Sequence, residues 1–93
     1  MPPKKWFSKL VDLGCIVCRE EGIYSPPDIH HIHRNGRRVD DLHTIPLCPP
    51  HHRLGYNTPR CVSRHPYKAE FERRYGSEWD LFKKVVQIVS EAP

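Results

Sequence analysis

Two short ligand-bearing turns constrain this chain more than any other feature: Cys15-Ile-Val-Cys18 and Cys48-Pro-Pro-His51. Each presents a pair of metal-ligating side chains from one tight turn, and roughly thirty residues separate the halves, the spacing of a zinc ribbon. Two such knuckles (15–18 and 48–51) close a tetrahedron around one ion and leave no position open to a substrate, so the predicted Zn²⁺ is structural. The competing reading, ordinary buried cysteines beside a surface histidine, needs both spacings to be coincidental. An ion also answers a shortage. Only 38% of the 93 residues are apolar, a thin core for one small domain. Zinc binding supplies ~10–16 kcal/mol of apparent stability by zinc-finger precedent. Met1-Pro-Pro-Lys-Lys-Trp6 is basic with no apolar run behind it. That predicts a chain that is not secreted, in which cysteines beside histidines are ligands rather than disulfides. Cys61 is left over as a free thiol.

Around the knuckles the pattern predicts an α+β domain spanning residues 1–93. Trp6, Leu10 and Leu13 recur at helical spacing over residues 4–13, with Phe7 and Val11 widening the stripe and Gly14 as the stop. Residues 20–27 read as a loop. Ile29 to His33 alternates enough for a strand, Asn35-Gly36 is a turn signal, and a second extended piece runs from about His43 to Leu47. Pro49-Pro50 suits the first turn of a helix carrying His51, His52 and Arg53. The order strand, loop, strand, helix thus fills residues 28–54. Residues 55–66 read as irregular. Tyr67, Phe71 and Tyr75 mark a helix over 66–75, and Ser77 with Asp80 forms a capping box for a last helix over 77–90. That helix shows Trp79, Phe82, Val86 and Val89 on one face, widened by Leu81, Val85 and Ile88; such stripes are core rather than ligand sites. No apolar run approaches membrane-spanning length.

Six of the seven histidines fall between Asp28 and Arg53. With His51 in the zinc site, His30, His31, His33, His43, His52 and His65 remain. His30 and His31 are adjacent on a strand and point to opposite faces, so they take different roles. His52 follows a zinc ligand on a helix and is held in place by it. A formal charge of +4 favours a polyanionic partner. Arg34, Arg37, Arg38, Arg53, Arg60 and Arg64 flank the histidines, and contacts of that kind position a nucleic-acid backbone without reading bases.

The order Cys-x-x-Cys, a His-His strand, and Ile45-Pro-Leu-Cys-Pro-Pro-His-His-Arg53 followed by a helix resembles the HNH nucleases, which have a ββα-metal active site. More narrowly, Leu13-Gly-Cys-Ile-Val-Cys-Arg19, His30-His-Ile32, Ile45-Pro-Leu-Cys48, His51-His-Arg53, His65 and Tyr75-Gly76 resemble the phage recombination-enhancement nucleases of the Ref type, which act with RecA. The resemblance runs from about Trp6 to Val89. It implies a small ββα-metal domain with a zinc-ribbon knuckle and flanking helices. It makes His30 and His52 ligands of a catalytic divalent metal and His31 the general base. His65 becomes a further ligand or a phosphate contact. His43 stands where the central Asn of the motif usually sits; it orients the base, ligates metal or does neither. Mg²⁺ is the implied working ion, and imidazoles also suit Mn²⁺, Ni²⁺ or Zn²⁺. The implied partners are DNA and a RecA-type filament, in the cytoplasm of a bacterial host, from a phage or mobile-element gene.

The predicted function is therefore a metal-dependent HNH endonuclease with one active site per chain, nicking as a monomer. The alternative is a non-catalytic zinc ribbon that binds DNA or a protein, which has no use for three further histidines at this spacing. A zinc deaminase needs a Glu beside a His ligand, and no His-x-Glu occurs.

Overall fold

In the computed structural model, which describes residues 1–91, the elements follow in the order α1 (Pro3–Leu13), α2 (Ile16–Glu20), β1 (Asp28–His31), β2 (His33–Arg34), β3 (Arg37–Arg38), β4 (Thr44–Leu47), α3 (Pro49–His52), α4 (Lys68–Tyr75) and α5 (Glu78–Glu91). The fold is a small α+β arrangement in which short antiparallel strands sit among helices. No helix is long and apolar enough to cross a membrane among the described residues.

β4 is the centre of the fold, and all four of its residues are buried. It pairs antiparallel with β1 in the register Asp28↔Leu47, Ile29↔Pro46, His30↔Ile45 and His31↔Thr44. The Ile32 amide donates to the His43 carbonyl at 3.0 Å. By alternation Pro46 then falls at a non-hydrogen-bonded position, where its missing donor does no harm. The pleat gives the pair two faces. On one, Thr44 Oγ1 accepts from Trp6 Nε1 at 2.9 Å, which seats α1. On the other, Asp28 and His30 meet His52 of α3.

α1 ends where Gly14 turns to φ +79° and donates to the Leu10 carbonyl at 3.0 Å. A Cβ there would lie 2.7 Å from the Tyr24 ring, so glycine is required by both backbone and space. Gly14→Ala is expected to destabilise the fold by about 1–3 kcal/mol, read as a lower thermal midpoint. Of the expected α1 stripe, Trp6, Leu10 and Leu13 are buried, while Val11 is 47% exposed. It lies outside the face that β4 covers.

Several elements differ from the sequence pattern. The residues after Cys15 form a short helix, α2, capped by the Cys15 sulfur, which accepts from the Cys18 amide at 3.5 Å. The expected strand 29–33 breaks at Ile32, and a second hairpin, β2–β3, grows out around Asn35-Gly36. Both turn residues have positive φ (54° and 76°), the two-residue turn that matches strand twist. α4 begins at Lys68 rather than residue 66, and Tyr67 before it is exposed. In α5 the fully buried residues are Leu81 and Val85; Val86, expected on the core face, is 38% exposed, and Trp79, Phe82 and Val89 are partly covered. Leu81 and Val85 thus enter the core, and Trp79, Phe82, Ile88 and Val89 pack against its margin. The capping box forms as expected: the Ser77 amide donates to Asp80 and the Asp80 amide to Ser77 Oγ.

Candidate functional site

Two clusters of side chains able to hold a metal form beside α3, which gives His51 to one and His52 to the other. The first comprises Cys15, Cys18, Cys48 and His51, all buried. Cys15 and Cys18 come from the start of α2, and Cys48 caps α3 so that His51 stands one turn on. Cys18 Sγ lies 3.7 Å from Cys48 Sγ, and His51 Nδ1 lies 3.8, 3.6 and 3.1 Å from the sulfurs of Cys15, Cys18 and Cys48. Tetrahedral zinc with bonds near ~2.3 Å to sulfur and ~2.0–2.1 Å to nitrogen has ligand–ligand edges of about 3.5–3.8 Å, so the donor set fits the ion. His51 Nε2 is buried without a hydrogen-bond partner, leaving Nδ1 as the ring's polar attachment. Without a cation the thiols compete for charge. A hydrogen bond from Cys48 holds the Cys15 thiol down to about 4, the same contact pushes Cys48 up, and burial raises Cys18. Only a positive centre among them would let all three ionise together in so buried a cluster. Cys61 lies outside the cluster, half-buried and unbridged.

The second cluster is His30, His52 and His65, each offering a ring nitrogen within 4.8 Å of the others. β1 supplies His30 and the last turn of α3 supplies His52. The segment after α3 returns alongside it: the Arg64 amide donates to the His51 carbonyl at 2.8 Å and the His65 amide to the His52 carbonyl at 2.9 Å. The open carbonyls at the end of α3 thus fix the position of His65.

Carboxylates set the orientation of two of these rings. His30 Nε2–H donates to Glu78 Oε2 at 3.0 Å, and His52 Nδ1–H donates to Asp28 Oδ2 at 2.9 Å. Each ring's other nitrogen then carries a lone pair, and those two, His30 Nδ1 and His52 Nε2, face each other at 3.1 Å. Two lone pairs at that distance repel unless a cation lies between them. Imidazole nitrogens on one ion are held in this way, each with its far N–H on a carboxylate. Burial, with nearby Arg64 or His52 charge, lowers the pKa of His30 and His65 and favours the neutral, ligating form.

Both carboxylates are themselves bracketed by arginine. Arg53 Nε donates to Asp28 at 2.9 Å, and Arg64 Nη2 to Glu78 Oε1 at 2.6 Å. Burial alone would raise the Glu78 pKa, but the bonds from His30 and Arg64 outweigh it and hold it at about 2, below its ordinary 4.5. A depressed carboxylate stabilises the fold above its unfolded pKa and loses that contribution as pH falls through the folded value. Between pH 4.5 and 2 the wild type is therefore expected to lose stability that Glu78→Gln does not. The difference should be on the order of 3 kcal/mol at about 1.4 kcal/mol per unit, measured by thermal unfolding of the two proteins across that range.

The remaining histidines lie elsewhere. His31 is mostly covered; its Nε2 is 3.0 Å from Asp41 Oδ1, and its ring stands edge-on to Phe7 of α1. The three clustered imidazoles are not among its ring partners. His33 is exposed, with its ring centroid 6.5 Å from that of His30. His43 bonds Asp40 through Nδ1 at 2.7 Å and stacks on Phe82. Of the arginines, Arg34, Arg37 and Arg38 project from the β2–β3 hairpin, where Arg34 lies 5.4 Å over the Trp79 ring. Arg53 and Arg60 are exposed. Arg64, expected among the phosphate contacts, is instead 7% exposed and engaged by Glu78.

A family model described as "Recombination enhancement, RecA-dependent nuclease" matches residues 3–90. The chain belongs to this family. Comparison with curated proteins finds no match. Membership of a RecA-dependent nuclease family supports a nuclease role and points to involvement with DNA and RecA. Three residues that bond these histidines were not singled out by sequence reasoning: Asp28, Asp41 and Glu78. Asp28 was legible, because it lies two positions before His30 and so shares its face of the strand. Glu78 carries no local signal. It reads as an ordinary first-turn helix residue, and only the docking of α5 brings it to His30.

Proposed function

We propose that the protein is a metal-dependent HNH-type endonuclease that hydrolyses DNA phosphodiester bonds and nicks as a monomer. The observation that carries this reading is the pair of bare imidazole nitrogens, His30 Nδ1 and His52 Nε2, 3.1 Å apart and each backed by a carboxylate. The order β1, β4, α3 around them supports a ββα-metal reading of the α+β fold. His30, His52 and His65 would hold a divalent ion, Mg²⁺ by family resemblance or Mn²⁺, Ni²⁺ or Zn²⁺ by ligand type, and that ion would stabilise charge on the phosphate and the leaving 3′ oxygen.

The protein's own groups do the rest. His31 takes a proton from the attacking water near neutral pH. Asp41 receives the Nε2–H of that ring, so Nδ1 is the basic atom. Asp41, rather than His43, is the residue beside the base. Arg34, Arg37 and Arg38 hold backbone phosphates on the exposed hairpin. Cys15, Cys18, Cys48 and His51 hold structural Zn²⁺ that anchors α3 and therefore His52. The products expected from the family resemblance are a 5′ phosphate and a 3′ hydroxyl.

A second assignment of the base has an observation in its favour. The His33 ring lies 6.5 Å from His30, whereas His31 packs on Phe7. His31→Ala and His33→Ala, compared in one assay, decide between them. The test of the function itself is relaxation of supercoiled plasmid with Mg²⁺ or Mn²⁺, with and without RecA filaments. Metal-dependent nicked circle supports the reading. Absence of cleavage under every one of these conditions leaves a zinc-ribbon module that binds DNA or a protein.

A further inference from the structure

We infer that Glu78, on the first turn of α5, is a positioning residue for the three-imidazole site: it holds His30 so that Nδ1, and not Nε2, faces the ion. The inference rests on the metal reading of His30, His52 and His65, and extends that site to a residue 48 positions away in the chain.

The geometry is a relay of three side chains from three segments. Arg64 Nη2 donates to Glu78 Oε1 at 2.6 Å, and His30 Nε2–H donates to Glu78 Oε2 at 3.0 Å. With one oxygen held by the guanidinium, the other has a single direction left, toward the imidazole. Flipping the His30 ring would put carbon where Nε2 and Nδ1 now stand, breaking the Glu78 bond and withdrawing the ligand atom together. Arg64 is anchored in turn by its backbone, which donates to the His51 carbonyl at 2.8 Å. The relay therefore stands on α3, the same helix that carries His52.

An advantage in stability over an apolar pair does not account for this arrangement. Glu78 and Arg64 are 6% and 7% exposed, and a buried ion pair is generally no more stabilising than well-packed apolar residues of the same volume. An arginine–glutamate pair that fixes one ring of a metal site does something an apolar pair cannot. It selects the tautomer and raises the basicity of the ligating nitrogen. Glu78 thereby does for His30 what Asp28 does for His52, from the opposite end of the chain.

The experiment uses the zinc-loaded full chain and Ni²⁺ as the probe, titrated by calorimetry into wild type, His30→Ala and Glu78→Gln under conditions where near-UV circular dichroism shows all three folded. Wild type is expected to bind one Ni²⁺ beyond the structural zinc, and His30→Ala to lose it. Glu78→Gln is expected to weaken it by about 10- to 100-fold with zinc content unchanged. Where Glu78→Gln alone does not fold, Glu78→Gln with Arg64→Met removes the stranded guanidinium and is expected to show the same loss. A folded Glu78→Gln protein, single or double, that binds Ni²⁺ as tightly as wild type overturns the assignment while leaving the metal site standing. If wild type takes up no second ion, or His30→Ala binds it unchanged, the metal reading itself fails and the role of Glu78 falls with it.

Discussion

Replacing Cys18 by serine is expected to leave no soluble, folded protein. Cys18 Sγ sits 3.7 Å from Cys48 Sγ and 3.6 Å from His51 Nδ1, at the point where α2 and α3 meet. A hydroxyl there cannot supply the thiolate that closes the ligand set. Structural zinc contributes ~10–16 kcal/mol in comparable small domains, against a net stability of about 5–15 kcal/mol for a whole domain. Loss of one ligand therefore removes a term as large as the stability itself. Chelation should act in the same way, so wild type treated with a strong zinc chelator is expected to lose its cooperative thermal transition. A Cys18→Ser protein that expresses solubly and melts like wild type, without zinc, would contradict the structural role. Cys61→Ser is the internal control. It lies outside the cluster, so its zinc content and melting are expected to match wild type.

His31→Ala is expected to abolish detectable plasmid nicking while zinc content and DNA affinity persist. General-base assistance accounts for roughly 10²- to 10⁴-fold in rate, enough to push a slow nuclease below detection. The substitution removes the imidazole beside Asp41 and thins the packing on Phe7, but touches neither metal cluster. Retained zinc and retained DNA binding therefore separate a lost base from a lost fold. If His31→Ala nicks at the wild-type rate and His33→Ala does not, the proton acceptor is His33. His43→Ala offers a further contrast. Its ring is held by Asp40 and Phe82 and takes no part in the proton transfer proposed above, so nicking is expected to survive its loss.

How much of this could be read in advance varies from residue to residue. The four-ligand cluster was legible because each knuckle is a local object: two ligands three positions apart on one turn share one direction whatever the rest of the chain does. The pairing of His30 with His52 was also accessible, since a strand followed by a proline-initiated helix brings those positions to one interface. Arg64 was not. Its neighbours in sequence are polar and suggest a solvated surface, yet the return of that segment along α3 buries it against Glu78. On α5 the expected residues reach the core except Val86, which is exposed. Aromatic and aliphatic stripes overlap on that helix, and the aliphatic Leu81 and Val85 are the ones buried completely.

By itself, then, the chain's sequence determined which side chains gather into clusters able to hold a metal, because spacing along a turn or a strand is enough to aim two side chains at one point. It also determined the helix ends at Gly14 and Ser77, where backbone conformation and capping are local. Tertiary structure alone decided which carboxylates stand behind which imidazoles. Glu78 reaches His30 and Arg64 reaches Glu78 only once α5 has docked, and no local rule couples positions so far apart. Hydrogen bonds act over about 3 Å, so the orientation of the ligating rings is a property of the assembled fold.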